Sequence, residues 1–239
     1  MPLANNFPFY FAIISLTTTL LLFWLNYRLN QKMFQLDRTE KYKRKIAFDL
    51  SLVLVVSGFI GGRLLHIVYE EWFYYLVYPQ EIFKFWKGGF VYYGGWIASL
   101  FCGWYFLKTK NQKLLPWADF FTPLLSLGYA LGRVACYFES CCYGTTKIPL
   151  QLVMVICELL LLGLILVLEK KQTLKKAGAL FFVWVLIQSA TRFFIEFYRA
   201  DNRGQTLFNV LSISQVISVL IVLIVIVYIA INQFFRKNA

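Results

Sequence analysis

The sequence predicts an all-α, polytopic membrane protein, folded as a single domain over residues 1–239 with seven transmembrane helices. Hydrophobic residues make up 59% of the 239 residues and charged residues only 15%, which is too little polar surface to cover a soluble domain of this size. A helix needs about 20 mainly apolar residues to cross a bilayer, and seven windows of the sequence qualify. The basic residues also concentrate in alternate connections between the windows, a pattern typical of polytopic membrane proteins.

The seven windows are separated by polar or helix-breaking stretches. The first window has no basic flank before it and no small-residue cleavage site after it, so we expect it to be retained. Residues 70–87, after the second window, mix aromatic and charged side chains and are typical of a segment lying in the membrane interface. Gly144 and Pro149 are expected to interrupt the helix between the fourth and fifth spans. The windows cover roughly residues 8–26, 46–68, 90–107, 116–137, 148–168, 177–198 and 208–235.

The basic residues predict the orientation of the chain. The first, third and fifth connections and the C-terminal tail together carry sixteen Lys and Arg residues, whereas the opposite side carries five. Because basic connections remain in the cytoplasm, we expect the N-terminus outside and the C-terminus inside. Topology and contact with anionic lipid then account for the net charge of +12, and no nucleic-acid partner is expected. The sixteen are Arg28, Lys32, Arg38, Lys41, Lys43, Arg44, Lys45, Lys108, Lys110, Lys113, Lys170, Lys171, Lys175, Lys176, Arg236 and Lys237.

Three arginines lie inside predicted spans, where each costs at least about 2.5 kcal/mol at mid-bilayer. They are Arg63, Arg133 and Arg192, on the second, fourth and sixth windows. At about 1.5 Å per residue from the cytoplasmic start of each window, all three reach roughly 22 to 26 Å. Separate snorkelling to the outer interface is one explanation. The other, favoured by the shared depth, is a common anion-binding site in the outer half of the membrane.

The sixth window carries a polar stripe. Gln188, Arg192, Glu196 and Arg199 recur at helical spacing on a segment that is otherwise mainly apolar. Glu196 can pair with either arginine, and an ion pair that permits burial of Arg192 is one interpretation. The other is a phosphate site, because the planar guanidinium offers several donors that match phosphate oxygens. On the outer side, the expected anion is a phospholipid headgroup.

Six motifs follow one another along the chain: GGRLLHIVYE at 61–70, GGFVYYGG at 88–95, DFFTPLLSLGYALGR at 119–133, Pro-x-Gln-Leu at 149–152, RFFIEFYRADN at 192–202 and LSISQ at 211–215. In this order they resemble the motifs of the bacterial prolipoprotein diacylglyceryl transferase family. The resemblance implies a seven-span plasma-membrane enzyme that moves the diacylglyceryl group of phosphatidylglycerol onto the lipobox cysteine thiol of a prolipoprotein and releases glycerol phosphate. Gly94 and Gly95 close the second motif and are expected to line the substrate site.

The resemblance also implies roles for individual residues. Arg133 matches the arginine of the family's Gly-Arg signature, and Arg192, Glu196 and Arg199 match its later Arg-Glu-Arg set. Tyr10 looks like the tyrosine that the family places at the outer end of its first span. We therefore expect Arg133, Arg192 and Glu196 to act on the substrate. Together with the two glycines and with Arg63, which lies at the same depth, the residues expected to bind the substrate are Gln188, Arg199, Cys136 and Cys141.

The chain departs from the family at several of these positions. Tyr93 stands where typical members have a histidine, and the chain's single histidine, His66, is on another helix. Cys136 and Cys141 stand where members have asparagine and glutamate, and Gln188 replaces a tyrosine. The family's usual proton acceptor is therefore missing.

The reaction makes two chemical demands. A thiol with a pKa of about 8.5 must lose its proton before it attacks a glycerol carbon, and the departing phosphate must be stabilised. Arg133 and Arg192 are suited to the second task, as preorganised charges in a site of low dielectric constant. For the first task the sequence offers Glu196, Tyr10 and Tyr93 and does not rank them.

Three cysteines follow Arg133 closely, and three interpretations stay open. Cys136 could form a disulfide with Cys141 or Cys142 on the oxidising side of the membrane. The thiols could instead stay reduced and pack a tight turn, or one could be a nucleophile activated by Arg133. A metal site is disfavoured because no nearby histidine completes a ligand set, and no cofactor is expected.

The predicted partners are phosphatidylglycerol, membrane lipid and a prolipoprotein signal peptide or another acceptor. Two alternatives to lipoprotein modification remain at this point. One is a divergent phospholipid-dependent transferase with a different acceptor, which could use a thiol of Cys136, Cys141 or Cys142. The other is a membrane protein that binds anionic lipid without turnover.

Overall fold

The computed structural model describes residues 7–33, 39–84, 88–138, 144, 149–174, 176–200 and 211–237. Side chains are described for residues 16–29, 42–84, 88–138, 144, 149–174, 176–200 and 211–231.

The described chain is built from helices, as predicted. Each apolar window coincides with one long α-helix, and residues 70–87 contribute a short α-helix and a 3₁₀ helix, η1 (Pro79–Phe83). Because α1 continues to Met33 and α2 begins at Thr39, Lys43, Arg44 and Lys45 belong to the first turns of α2 and not to a loop. The α-helices are α1 Phe7–Met33, α2 Thr39–Tyr69, α3 Trp72–Val77, α4 Tyr92–Thr109, α5 Leu114–Phe138, α6 Leu150–Lys170, α7 Ala179–Glu196 and α8 Ile213–Lys237.

Four segments among the described residues are long and apolar enough to cross a membrane. They are Tyr42–Tyr69, Leu150–Lys170, Ala179–Glu196 and Ile213–Ile231. Their side chains are largely exposed on the protein surface, with exposed fractions such as 70% at Val55 and 66% at Ile224, as expected where lipid is the solvent. The chain is therefore a multi-pass helical membrane protein, whereas the full count of seven spans and the orientation of the termini stay predictions.

The chain divides into two compact units, one comprising Met1–Arg28 with Leu115–Ala239 and the other Leu29–Leu114. The prediction of one domain over 1–239 stays a prediction. Within the second unit, α2 and α4 pack directly on glycines: a Cβ atom built at Gly61 would overlap the carbonyl of Gly94, and one built at Gly95 would lie 2.8 Å from the carbonyl oxygen of Gly58. Small residues allow such close helix contacts in membrane proteins.

In the first unit, a buried ion pair joins α1, α5 and α6. Arg28 donates from Nη1 and Nη2 to the two carboxylate oxygens of Glu169, at 2.9 Å each, and from Nη2 to the carbonyl oxygen of Phe120 at 3.0 Å. Arg28 was predicted to be one of the basic loop residues, and this placement is wrong, since the side chain is buried on α1. The bidentate carboxylate and the carbonyl compensate the charge on burial.

A second buried carboxylate joins α5, α6 and α7. Glu158 accepts hydrogen bonds at Oε1 from the Ser126 hydroxyl at 2.7 Å and from the Trp184 indole at 2.8 Å. These contacts explain how an acidic residue can lie within an apolar helix. On α5, the Asp119 carboxylate accepts from the amides of Gly178 and Phe181, at 2.6 and 2.9 Å, and so caps the start of α7.

Candidate active site

Two arginines and a glutamate meet at the C-terminal end of α7. The helix ends at Glu196, and a turn then returns the chain so that Arg199 faces the same carboxylate. Glu196 Oε2 lies 3.3 Å from Arg192 Nη2 and 4.0 Å from Arg199 Nε. All three side chains are nearly buried, with exposed fractions of 14% for Arg192, 5% for Glu196 and 3% for Arg199. Three members of the predicted stripe, Arg192, Glu196 and Arg199, therefore form a cluster with one net positive charge.

The start of α8 fixes the other oxygen of Glu196. The Ser212 hydroxyl donates to Glu196 Oε1 at 3.2 Å. Ser212 is itself held by a reciprocal capping box: its Oγ accepts from the Gln215 amide at 3.2 Å, and Gln215 Oε1 accepts from the Ser212 amide at 2.9 Å. Gln215 Nε2 also donates to the carbonyl oxygen of Phe193 on α7 at 3.3 Å. These contacts explain structurally why an LSISQ motif follows the Arg-Glu-Arg set.

Arg192 has one donor without a partner among the described residues. Its Nη1 atom is buried and makes no hydrogen bond to any residue that the structure describes. A buried cationic N–H group without an acceptor is costly, and an anion bound beside it would remove that cost. The net positive charge of the cluster favours the same kind of ligand.

Arg133 lies on the same unit and is positioned by an aromatic ring. Its guanidinium carbon is 4.7 Å from the centroid of the Tyr129 ring on α5, which is within range for a cation–π contact. Tyr129 in turn packs against an apolar cluster formed by Leu150, Met154 and Ile195. Ile195 immediately precedes Glu196. The packing of α5, α6 and α7 therefore fixes both the Tyr129 ring, which contacts Arg133, and the end of α7.

Gly144 supports the turn after α7. It forms an isolated antiparallel bridge with Arg199. A Cβ atom at Gly144 would lie 3.0 Å from the carbonyl oxygen of Tyr198 and 3.2 Å from Leu150 Cβ. The absence of a side chain at residue 144 thus allows the chain to approach the backbone that presents Arg199.

Arg63, the third arginine of the predicted anion site, belongs to the 29–114 unit and binds backbone carbonyls. Nε donates to Ile82 at 3.3 Å, Nη2 to Glu81 at 2.8 Å, and Nη1 to Gly89 at 3.2 Å and to Gly88. Its guanidinium also lies over the rings of Tyr75 and Phe90. These contacts give Arg63 a role in holding residues 81–82 and 88–89, and binding of substrate by Arg63 stays a prediction.

For the remaining predicted site residues, no described contact joins them to Arg192, Glu196 or Arg199. Gly94 and Gly95 contact α2, as described above, and Tyr93 is half-buried on α4 with its ring 5.6 Å from that of Tyr92. Gln188 is half-buried on α7, and Cys136 is half-buried near the end of α5. Tyr10 lies on α1, but its side chain is outside the described residues, as are Cys141 and Cys142 entirely.

The helices that can cross a membrane define a multi-pass membrane protein, and the end of α7 carries a buried arginine cluster with a net positive charge. The family model for prolipoprotein diacylglyceryl transferase matches residues 6–231. The chain therefore belongs to the prolipoprotein diacylglyceryl transferase family, as the motifs predicted, and is a transferase.

Curated proteins with this activity in their names resemble the chain over most of its length. The phosphatidylglycerol–prolipoprotein diacylglyceryl transferase of Clostridium tetani is 30% identical over 226 residues, which cover 85% of this chain and 88% of the relative. The second such enzyme of Clostridium perfringens is 32% identical over 212 residues, 80% of this chain and 81% of the relative. That of Symbiobacterium thermophilum is 25% identical over 214 residues, 80% of this chain and 78% of the relative.

Proposed function

We propose that this protein transfers the diacylglyceryl group of phosphatidylglycerol to the lipobox cysteine thiol of a prolipoprotein and releases glycerol phosphate. The observation that carries the proposal is the family match over residues 6–231. The names of the relatives from two Clostridium species specify this donor and this acceptor. The buried arginine cluster at the end of α7 supports the same reaction, since the leaving group is an anion.

The proposed location is the bacterial plasma membrane, with seven spans, the N-terminus outside and the C-terminus in the cytoplasm. The unequal distribution of basic residues, sixteen on one side and five on the other, supports this orientation. A long helix in each apolar window is consistent with seven spans. In this orientation Arg192, Glu196 and Arg199 lie at the outer end of α7, on the side where a prolipoprotein emerges.

In the proposed reaction the arginines stabilise the negative charge that develops on the departing phosphate. As the thiolate forms a bond to the glycerol carbon, the C–O bond to phosphate breaks and its electron pair remains on the departing glycerol phosphate. Arg192 Nη1, a buried donor, is available to an oxygen of that phosphate, and Arg133 supplies a second charge. Preorganised donors of this kind contribute most where charge develops in the transition state.

Glu196 has a positioning role in this scheme. Its carboxylate accepts from Ser212 and pairs with Arg192, which holds the guanidinium at the end of α7. Because Ser212 and Arg192 occupy the two carboxylate oxygens, these contacts favour positioning over the role of base that the sequence left open for Glu196. Tyr10 and Tyr93 remain candidates for that role.

The test is an assay of the purified protein in detergent with phosphatidylglycerol and a lipobox peptide, in which release of glycerol phosphate is followed. We expect release to require both the peptide thiol and Arg133, so that a serine peptide and Arg133→Ala each abolish it. Arg44→Ala, an exposed arginine on α2, is the matched control and should retain activity. Saturable binding of phosphatidylglycerol without release would contradict the proposal and indicate a lipid-binding protein or another acceptor.

A further inference from the structure

Glu158 is a buried carboxyl group that the proposed reaction does not use. It lies on α6, a mainly apolar helix, and its exposed fraction is only 1%. Its Oε1 accepts hydrogen bonds from the Ser126 hydroxyl and the Trp184 indole, as described above. A carboxyl group at this position is costly, and a neutral glutamine could accept the same two hydrogen bonds. The charge of this side chain therefore needs a separate explanation.

The two neighbours of Glu158 suit a charged carboxylate. An indole N–H can only donate, and the Ser126 hydroxyl donates to the same oxygen at 2.7 Å. An ionised carboxylate is an acceptor on both oxygens, so it needs no donor of its own in return. Burial nevertheless opposes the charge, and a positive group nearby is the usual compensation.

Arg133 is a positive group on the same face of α5 as Ser126. The two residues are seven positions apart in the chain, which is about two helical turns. The guanidinium of Arg133 stands over the ring of Tyr129, one turn earlier on α5. The side chain therefore folds back along α5 toward Ser126, as long side chains on helices do. The charges of Arg133 and Glu158 attract each other, and both residues belong to the same compact unit.

An apolar cluster surrounds the path between the two charges. The Tyr129 ring packs against Leu150, Met154 and Ile195, and Met154 precedes Glu158 by one turn of α6. These side chains leave little room for water beside the ring. Attraction between opposite charges is screened much less where water is excluded. The carboxylate can therefore act on the guanidinium without a direct hydrogen bond.

We propose that Glu158 is a positioning residue that holds the Arg133 guanidinium on the Tyr129 ring, an assignment that rests on the proposed role of Arg133 in the transfer reaction. Attraction from the carboxylate draws the guanidinium back along α5 and restricts its motion. The positive charge is then in place before the phosphate begins to leave, and such preorganisation is what lowers the barrier. Glu158 itself does not contact the substrate.

Two variants of residue 158 separate a role of the charge from a role in packing. Glu158→Gln keeps the length of the side chain and an acceptor for Ser126 and Trp184, but it loses the charge. Glu158→Asp keeps the charge and shortens the side chain. With phosphatidylglycerol and the lipobox peptide, we expect kcat to fall about 10-fold in Glu158→Gln and less in Glu158→Asp, with KM for the lipid within about threefold of the native value in both. A purely structural carboxyl group predicts the reverse order, because glutamine preserves its shape and hydrogen bonds.

A double-mutant cycle tests whether Glu158 acts through Arg133. Arg133→Lys keeps a positive charge but loses the planar guanidinium that stacks on Tyr129. In this background the effect of Glu158→Gln on kcat should shrink from about 10-fold to within about twofold, whereas in an Arg192→Lys background it should stay at about 10-fold. A general loss of stability would lower kcat by the same factor in both backgrounds.

Asp119→Asn is the matched control. It also replaces a carboxylate on α5, α6 or α7 by an amide, but near the start of α5, where Asp119 accepts from the amides of Gly178 and Phe181. Its kcat should stay within about twofold of the native value, because the site is distant from Arg133. A loss as large as that of Glu158→Gln would show that any neutralised carboxylate in these helices lowers turnover, and this would contradict the assignment.

Other outcomes also overturn the assignment. Native turnover in Glu158→Gln would exclude a role of the charge, and so would a glutamine variant that is more active than the aspartate variant. Equal effects of Glu158→Gln in the two lysine backgrounds would exclude action through Arg133. If Glu158→Gln does not fold, the cycle is measured with Glu158→Asp, and coupling to Arg133→Lys of less than about threefold then rejects the proposal. Failure of the native protein to release glycerol phosphate would instead count against the proposed function.

Discussion

Arg63 and Arg192 both lie on apolar helices, yet their surroundings differ. Arg63 directs its donors to the carbonyl oxygens of Glu81, Ile82, Gly88 and Gly89. Arg192 pairs with one carboxylate, and its Nη1 makes no hydrogen bond within the described part of the chain. A buried arginine with its donors satisfied stabilises the fold, whereas we propose that Arg192, whose Nη1 has no described acceptor, binds a ligand. The presence of an arginine in a span does not distinguish these two roles, but its contacts do.

The largest expected effect is at Arg192. Arg192→Ala should lower kcat for glycerol phosphate release by about 100- to 1,000-fold, the usual cost of losing one donor to a developing anion. The melting temperature should also fall, because the nearly buried Glu196 carboxylate loses its pairing with Arg192. Both quantities can be measured on one detergent preparation. A large fall in melting temperature with undiminished turnover would reverse the comparison and make Arg192 the structural residue.

The sequence predicted some of these features because their signals are local. A run of about 20 apolar residues is sufficient for a helix, so each long helix was found. The spacing of Arg192, Glu196 and Arg199 likewise predicted their meeting. The capping box of Ser212 and Gln215 is also local and could have been found from its Ser-x-x-Gln pattern.

Other features depend on partners that no local pattern specifies. Arg63 binds backbone carbonyls 18 to 26 residues further along the chain, and any residue type can offer a carbonyl. Arg28 and Glu169 are 141 residues apart, so Arg28 was assigned to a basic loop from its position alone. Tertiary contacts therefore decided the roles of these side chains.

An intermediate effect is expected at Arg63. Arg63→Gln should destabilise the protein by about 2 to 4 kcal/mol, because several partly buried carbonyls lose their donors together. Hydrogen exchange should quicken at the amides of Lys84 and Val91, which bond to Glu81 and Gly62, before it changes in α7. Binding of phosphatidylglycerol per folded molecule should stay within about threefold of the native value if the arginine is structural. Loss of lipid binding without faster exchange would show that Arg63 contacts the headgroup, as the sequence first predicted.

The smallest expected effect is at Ser212, whose hydroxyl contributes to stability as the N-cap of α8 and to turnover through Glu196. Ser212→Ala removes the N-cap of α8 and the hydrogen bond to Glu196 Oε1, and the cap alone should cost about 1 kcal/mol of stability. Turnover should fall only a few-fold, because Glu196 keeps its pairing with Arg192. Ser212→Thr should restore both, since threonine keeps the hydroxyl. Ser218→Ala is the matched control, because among the described residues that hydroxyl donates within α8, to the carbonyl oxygen of Ser214 at 2.8 Å. If Ser212→Ala lowers turnover as much as Arg192→Ala does, the hydroxyl itself contacts the substrate.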